Sequence, residues 1–404
     1  MLNQDVIQEI LSHCSATEIA RFRLQNKECN KRSYELRFID HHLHKANSVF
    51  GYFAHYEDKW SRYHPRFVPG VEAEQEDKED KTQISLQFLP RNNTKIKACD
   101  THHGILLCIG DRFKEAKTIP EYIVCKPATK QFRIIPNPKT RYLTIATGLM
   151  VISLTPFRYK IIRVSEPRRW TTKEGFYNHN CEVFDSDTFA WKRLNDFELS
   201  EFFPREAIPV SAYGFLHWLT RKNNVIRFCM RTETWSIFSV PDVLLDDSSL
   251  ILVSYEGKLG VTQHSESRNG AELWVLENSL RKSWVKVEDA KITALNDEYA
   301  QPFWFPSSDV VSLAASDRFG LYNMNSNNCR YLHKNEAFFS SGHPPSSHLI
   351  PFYSNYDRVC LHKDEVERKD KKEVRDEESF FPVRLLTKLW FYPFLLKLRQ
   401  SLFG

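Results

Sequence analysis

The sequence predicts an α+β multidomain chain: a small N-terminal three-helix module, a larger and mainly antiparallel all-β domain of propeller type, a charged linker and an apolar C-terminal tail. Three observations carry that expectation. Apolar residues near the start recur at helical spacing, and those from Ile84 to Leu361 alternate as in strands. Two dense charge runs, 72–81 and 363–378, divide the parts. The expected boundaries are 1–45 for the helical module, 46–83 for a linker holding the acidic run, 84–361 for the β domain, 362–379 for the charged linker and 380–404 for the tail.

The helical module comes first. Val6, Ile7, Ile10 and Leu11 share one face of a helix, while Gln8, Glu9 and Ser12 face away. Ser15-Ala16-Thr17-Glu18 then has capping-box spacing, a hydroxyl to cap the next helix and a carboxylate that reaches back. That helix carries Ile19 and Phe22, and a third short segment follows around Cys29 to Leu36. Three short helices bury little apolar area by themselves, so an apolar face is left for a partner.

These residues resemble a known family. Leu2-x-x-Asp5-Val6-Ile7-x-Glu9-Ile10-Leu11-Ser12, then Ile19-Ala20-Arg21-Phe22-Arg23 and Lys27-x-Cys29-Asn30, are similar to the F-box of plant F-box proteins. The resemblance implies docking onto a Skp-type adaptor and, through it, a cullin-RING core. It also implies that Leu2, Ile7, Ile10, Leu11 and Phe22 lie at or just beneath the adaptor contact. Three positions depart from the family pattern: Asn3 and Ser15 stand where proline is expected, and Cys29 where tryptophan is expected. A tryptophan at an interface can supply several kcal/mol, so Cys29 predicts a looser grip.

The β domain follows the acidic run, which reads as a solvated linker. Its recurring unit is an apolar strand, a polar turn and a strand with an aromatic anchor. Glu121–Pro127 leads to Phe132, Cys181–Asp187 to Trp191, Val225–Cys229 to Trp235, Glu272–Leu276 to Trp284, and Phe319–Asn323 to Tyr331. The anchors recur about every 45–60 residues, the range of a propeller blade of the kelch or WD type. A sixth unit is expected from Ile84–Leu89, Gly104–Gly110 and a closing strand near Tyr356–Leu361, with a β-sandwich as the alternative. The large aromatics are expected to fill wedges between units.

This region also resembles the F-box-associated domain that follows the box in one large plant family. The resemblance rests on Cys99-x-x-His102-His103-Gly104-Ile105-Leu106-Leu107-Cys108, on the run from Pro127 to Pro136, and on Ala212-Tyr213-Gly214-Phe215-Leu216-His217-Trp218-Leu219. It implies that the β domain recruits a target protein for ubiquitination, making the chain the substrate-recognition subunit of an SCF-type ubiquitin ligase.

Composition narrows the alternatives. The hydrophobic share of 42% supports a real core, and a net charge of +5 with interspersed signs argues against nucleic acid as a partner. Nine dispersed cysteines without a C-x-x-C pair, and a start without signal-peptide character, suit reduced thiols in the nucleus or cytoplasm. There is no phosphate-cradling Gly-rich loop, G-x-S-x-G or H-E-x-x-H, so no catalytic residue, cofactor or metal site is expected and the role is non-catalytic. Cys99, His102, His103 and Cys108 superficially suit zinc, but the apolar Ile105-Leu106-Leu107 reads as a buried strand. Asp185 and Asp187 read as turn formers rather than calcium ligands. The runner-up function is a propeller lectin or enzyme, which needs convergent carboxylates in the central channel.

The tail, from Phe380-Phe381-Pro382 through Trp390-Phe391-Tyr392-Pro393, is broken by Lys388 and Pro393, which argues against a membrane span. Its mixture of basic and aromatic residues suits peripheral membrane contact or a partner's groove, with packing over the β domain as the plainer reading.

Overall fold

A computed structural model describes residues 11, 14, 48–57, 63–70, 84–90, 94–114, 117–166, 176–205, 207–245, 250–265, 270–278, 282–287, 292–293, 301–315, 318–334 and 349–361. Alternating apolar segments pair with their chain neighbours as antiparallel meanders, and the meanders form six sheets. Strands β1 (Ser48–Glu57) and β2 (Tyr63–Pro69) open the chain order. Blade one is β3 (Thr94–Asp100), β4 (Ile105–Lys114), β5 (Lys117–Lys126) and β6 (Gln131–Ile135). Blade two is β7 (Leu143–Leu154), β8 (Phe157–Glu166), β9 (Tyr177–Asp185) and β10 (Ala190–Arg193), with β11 (Phe197–Leu199) added to β9. Blade three is β12 (Val210–Ala212), β13 (Phe215–Leu219), β14 (Asn224–Cys229) and β15 (Thr234–Ser239).

Blade four is β16 (Leu250–Tyr255), β17 (Lys258–Ser265), β18 (Gly270–Asn278) and β19 (Ser283–Lys286), with β20 (Ile292–Thr293) on β18. Blade five is β21 (Gln301–Trp304), β22 (Val310–Ala314), β23 (Arg318–Asn323) and β24 (Asn328–Lys334). The sixth blade pairs β25 (Leu349–Asn355) with β1, and β1 with β2, so strands from opposite ends of the sequence close the ring.

The expected α+β class is thereby corrected: the described elements are strands and two single-turn 3-10 helices, and the fold is an all-β six-bladed propeller. The N-terminal three-helix expectation lies outside the described residues, apart from Leu11 and Cys14. Among the described residues, no helix is long and apolar enough to cross a membrane, and the tail lies outside them.

The sixth blade is a second correction. Segment 46–83, expected as a linker, supplies β1 and β2, whereas Gly104–Gly110 belongs to blade one. Segment 357–361 is not a strand; Gln131 and Arg133 hold it through the Val359 and Leu361 carbonyls at 2.8 and 2.9 Å. Strand β1 escapes a period-two reading because both its faces are buried. Phe50, Tyr52 and Ala54 pack toward blade five and Phe53 toward blade one. Gly51 is required there, since a Cβ would stand 2.3 Å from the Val68 carbonyl oxygen. Prolines at 65 and 69 are tolerated because β2 is the outer strand.

The five recurring units are the outer hairpins of blades one to five. Each hairpin turns through a residue with positive φ just before its last strand: Lys130, Phe189, Glu233, Lys282 and Asn327. None is glycine. Two anchors fill wedges as expected, since Trp191 packs beside Tyr122 and Phe184 between blades one and two, and Trp235 stacks on Phe197 at 4.6 Å, whereas Tyr331 is 39% exposed. Six apolar clusters, one between each pair of neighbouring blades, make up the core. Cys108, Cys125 and Cys181 are buried within it as free thiols.

Candidate functional site

The inner strands β25, β3, β7, β12, β16 and β21 surround the propeller axis and enclose a channel of about 670 Å³. Each four-stranded meander starts and ends at the same end of the channel. One face, the turn face, therefore carries the tight turns leaving the inner strands and the outer-hairpin turns. The opposite link face carries the connections that run from blade to blade.

The turn face is fixed by backbone. Tyr213-Gly214 and Glu256-Gly257 turn with paired positive φ values, the geometry favoured in two-residue hairpins. Gly104 has φ +62 and lies so close to β25 that a Cβ would meet Ser354 at 2.3 Å. The preceding turn stitches three blades together. Asp100 accepts from the His103 ring at 2.8 Å and from the Val151 amide of blade two at 2.7 Å, while the Thr101 carbonyl accepts from the Tyr353 amide of blade six at 2.9 Å. Burial opposes ionisation of both side chains, yet their mutual attraction outweighs it: Asp100 titrates below its ordinary value and His103 above.

Three of the four residues weighed for zinc have partners within this framework. His103 faces Asp100, the Cys99 thiol faces the Pro351 carbonyl at 3.6 Å, and Cys108 lies 3.9 Å from Cys125. Asp185 caps the amide of Asp187 at 2.9 Å, and Arg158 pairs with Asp187 at 2.8 Å, which is the expected turn role.

The link face is fixed by side chains. Arg163 and Glu182, 3% and 2% exposed, pair at 2.5 Å. Thr140 donates to that Glu182 carboxylate at 2.6 Å, and the Tyr142 carbonyl accepts from Arg163 at 2.5 Å, so the pair clamps the link into blade two. Glu201 clamps the next link, accepting from the Thr220 hydroxyl, the Lys222 amide and the Asn224 side chain at 2.8, 3.1 and 3.1 Å. The Asn223 amide group donates to the Leu244 and Leu245 carbonyls at 3.3 and 2.8 Å and holds a third link.

Within this frame the channel wall is mixed. Ile145, Leu252, Trp304 and Ile350 supply apolar surface, and Lys95, Lys97, Arg205 and Arg221 supply positive charge. Lys95 and Lys97 are the partly exposed alternate members of β3, whose intervening residues are buried. Arg205 grips Glu166 through both carboxylate oxygens at 2.8 Å. No Asp or Glu lines the channel among the described residues. His217, also in the wall, is pushed down to about 3, first by burial and then by the charge of Arg227, and is therefore neutral near pH 7. On the same face Phe202, 49% exposed, packs on Tyr177 with ring centres 4.2 Å apart.

Of the residues nominated for adaptor contact, Leu2, Ile7, Ile10 and Phe22 lie outside the described residues, and Leu11 is buried at 2% exposure. Sequence reading did not nominate Lys95, Lys97, Arg205 or Arg221. For the two lysines a signal existed: Lys95-Ile96-Lys97-Ala98 puts both cations on one face of a strand whose other face is apolar.

A closed ring of six sheets around a central channel defines a β-propeller. The F-box associated beta propeller domain model matches residues 61–301, more than half of the 404 residues, and the chain belongs to that family. An F-box protein of Arabidopsis thaliana is 59% identical over 186 residues, covering 46% of this chain and 97% of that protein. Another F-box protein of the same plant is 22% identical over 234 residues, covering 53% of this chain and 60% of the relative. Among solved structures, a functionally unknown protein from Desulfotomaculum acetoxidans aligns with TM-score 0.39 and 9% identity, covering 74% of this chain and 83% of that one.

Proposed function

We propose that this chain is the substrate-recognition subunit of an SCF-type ubiquitin ligase, a non-catalytic adaptor working in the nucleus or cytoplasm. Its N-terminal F-box-like segment docks a Skp-type adaptor and thereby a cullin-RING core, with Leu2, Ile7, Ile10, Leu11 and Phe22 at or just beneath the contact. The propeller recruits the protein to be ubiquitinated. The observation that carries this reading is the order of parts: a string resembling an F-box precedes a propeller of the F-box-associated family.

The test is capture of a purified Skp-type adaptor by the full-length chain. Adaptor retained at micromolar concentration, and lost in an Ile7→Asp/Ile10→Asp variant, is the expected result. No retention by the wild-type chain overturns the ligase reading.

A further inference from the structure

The channel wall is not built alike in every blade. Among the described residues, blades one, two, four and five line it with their inner strands and the turn after β3, and blade six adds a single second-strand residue, His55. Blade three adds three, His217, Trp218 and Leu219 of β13, beside Val210 of β12. The cause is length. Strand β12 has three residues and pairs with Phe215, Leu216 and His217, so Trp218 and Leu219 have no ladder partner in the inner strand. The wall therefore has a recess beside the short strand. Leu250 and Leu252 of blade four close it, in one apolar cluster with Val210 and Leu219.

Two polar atoms of this recess have no hydrogen-bond partner, His217 Nε2 and Trp218 Nε1, although the residues are 0% and 1% exposed. The other ring nitrogen of His217, Nδ1, lies 3.2 Å from the Val210 carbonyl oxygen. A carbonyl only accepts, so Nδ1 carries the proton and Nε2 is left as an acceptor. Burial keeps the ring neutral near pH 7. The Trp218 indole N–H is a donor only. Buried polar groups nearly always find partners, so a lone acceptor and a lone donor at adjacent positions of a cavity wall point to partners from another molecule. Adjacent strand residues face opposite ways, so that molecule must present its donor and its acceptor on separate atoms.

We propose that this recess binds an extended segment of the recruited protein through amide groups, an N–H donating to His217 Nε2 and a carbonyl accepting from the Trp218 indole. Main chain and Asn or Gln side chains both offer that chemistry. The aliphatic wall favours a peptide over a glycan, whose many hydroxyls would be buried there without partners. A volume of about 670 Å³ admits a few residues of an extended segment and not a folded domain. This inference rests on the reading of the propeller as the target-recruiting half. It adds which part of the wall does the work and what chemistry the target presents.

NMR of the full-length chain, isotope-labelled at its tryptophan indole nitrogens, tests it. The Trp218 signal is assigned by its loss in Trp218→Phe. The probes are two end-blocked peptides, leucine-glutamine-leucine and leucine-alanine-leucine, the N-methylated form of the second, and maltose. At least one unmodified peptide moves the Trp218 signal, and the N-methylated form binds about tenfold or more weakly than the better of the two. Equal binding of the unmodified peptides identifies the main chain as the source, and preference for the glutamine peptide identifies the side chain. His217→Phe keeps a ring beside Phe215 and Phe238, removes the acceptor and weakens binding about tenfold. Tyr159→Phe removes an unpartnered buried atom between blades one and two and leaves binding unchanged. Thermal melting checks that every variant folds.

A Trp218 signal unmoved by both unmodified peptides at millimolar concentration overturns the inference. So does undiminished binding of the N-methylated peptide, or unaltered binding in folded His217→Phe. Tighter binding of maltose than of either peptide overturns it in favour of a glycan. Adaptor capture, scored on the same preparations, keeps the two ideas apart. Capture without peptide binding removes only this inference, and peptide binding without capture removes only the ligase assignment.

Discussion

The two faces of the propeller are held by different means. On the turn face the constraint lies in the backbone: positive φ at Tyr213, Gly214, Glu256 and Gly257, and a Gly104 that no Cβ can replace without meeting Ser354. On the link face the constraint lies in buried side chains, with Glu182, Glu201 and Asn223 each clamping one link. A face fixed by backbone has few ways to change what it presents. A face pinned at a few buried points can vary its exposed residues freely, which is where binding specificity belongs. The exposed Arg221 and the Phe202–Tyr177 pair lie on that second face.

The largest effect is expected from Glu182→Ala. It strands the Arg163 guanidinium, 3% exposed, without its partner, and loss of one member of a buried pair costs about 3–5 kcal/mol. Urea denaturation should show that loss; a change below about 1 kcal/mol would mean that the link is not clamped from the side-chain side. Gly104→Val comes next, at about 2–5 kcal/mol, combining left-handed backbone strain with overpacking against β25. The same denaturation series reads it, and a neutral Gly104→Val would break the backbone-fixed account of the turn face.

The smallest effect concerns pH. His103 is held above its ordinary value of 6.5, so its stabilising contribution is full below pH 6.5 and fades as pH rises through the folded-state value. Asp100 is held below its ordinary 3.8, so its contribution is present above 3.8 and fades as pH falls through the folded-state value. The stability gap between wild type and Asp100→Asn should therefore be widest between pH 3.8 and 6.5. Its size should stay below about 1 kcal/mol, because His103 is partly open to solvent. A gap that is flat with pH would show that the pair carries no charge coupling.

Much of this molecule was legible in the sequence, but unevenly. The outer hairpins of blades one to five stood out because each carries an aromatic anchor, and Trp191 and Trp235 fill wedges between blades. Their turn residues gave no such sign, since Lys130, Phe189 and Glu233 occupy positive φ where glycine is the usual marker. Blade six was misassembled from sequence because its strands come from opposite ends of the chain, and because β1 is buried on both faces and loses the alternation that marks a strand. The channel was illegible for a related reason. It is built from six inner strands far apart in sequence, so Arg205 and Arg221 read as ordinary surface charges until the ring closes.

The separation of adaptor docking from target recruitment is the central claim, and one measurement tests it most directly. Full-length wild type, Ile7→Asp/Ile10→Asp and the propeller variant Arg221→Glu are each titrated with a purified Skp-type adaptor. The first variant should lose the adaptor, and the second should keep it. Adaptor binding that survives in the N-terminal variant, or that disappears in the propeller variant, would contradict the division of labour between the two parts.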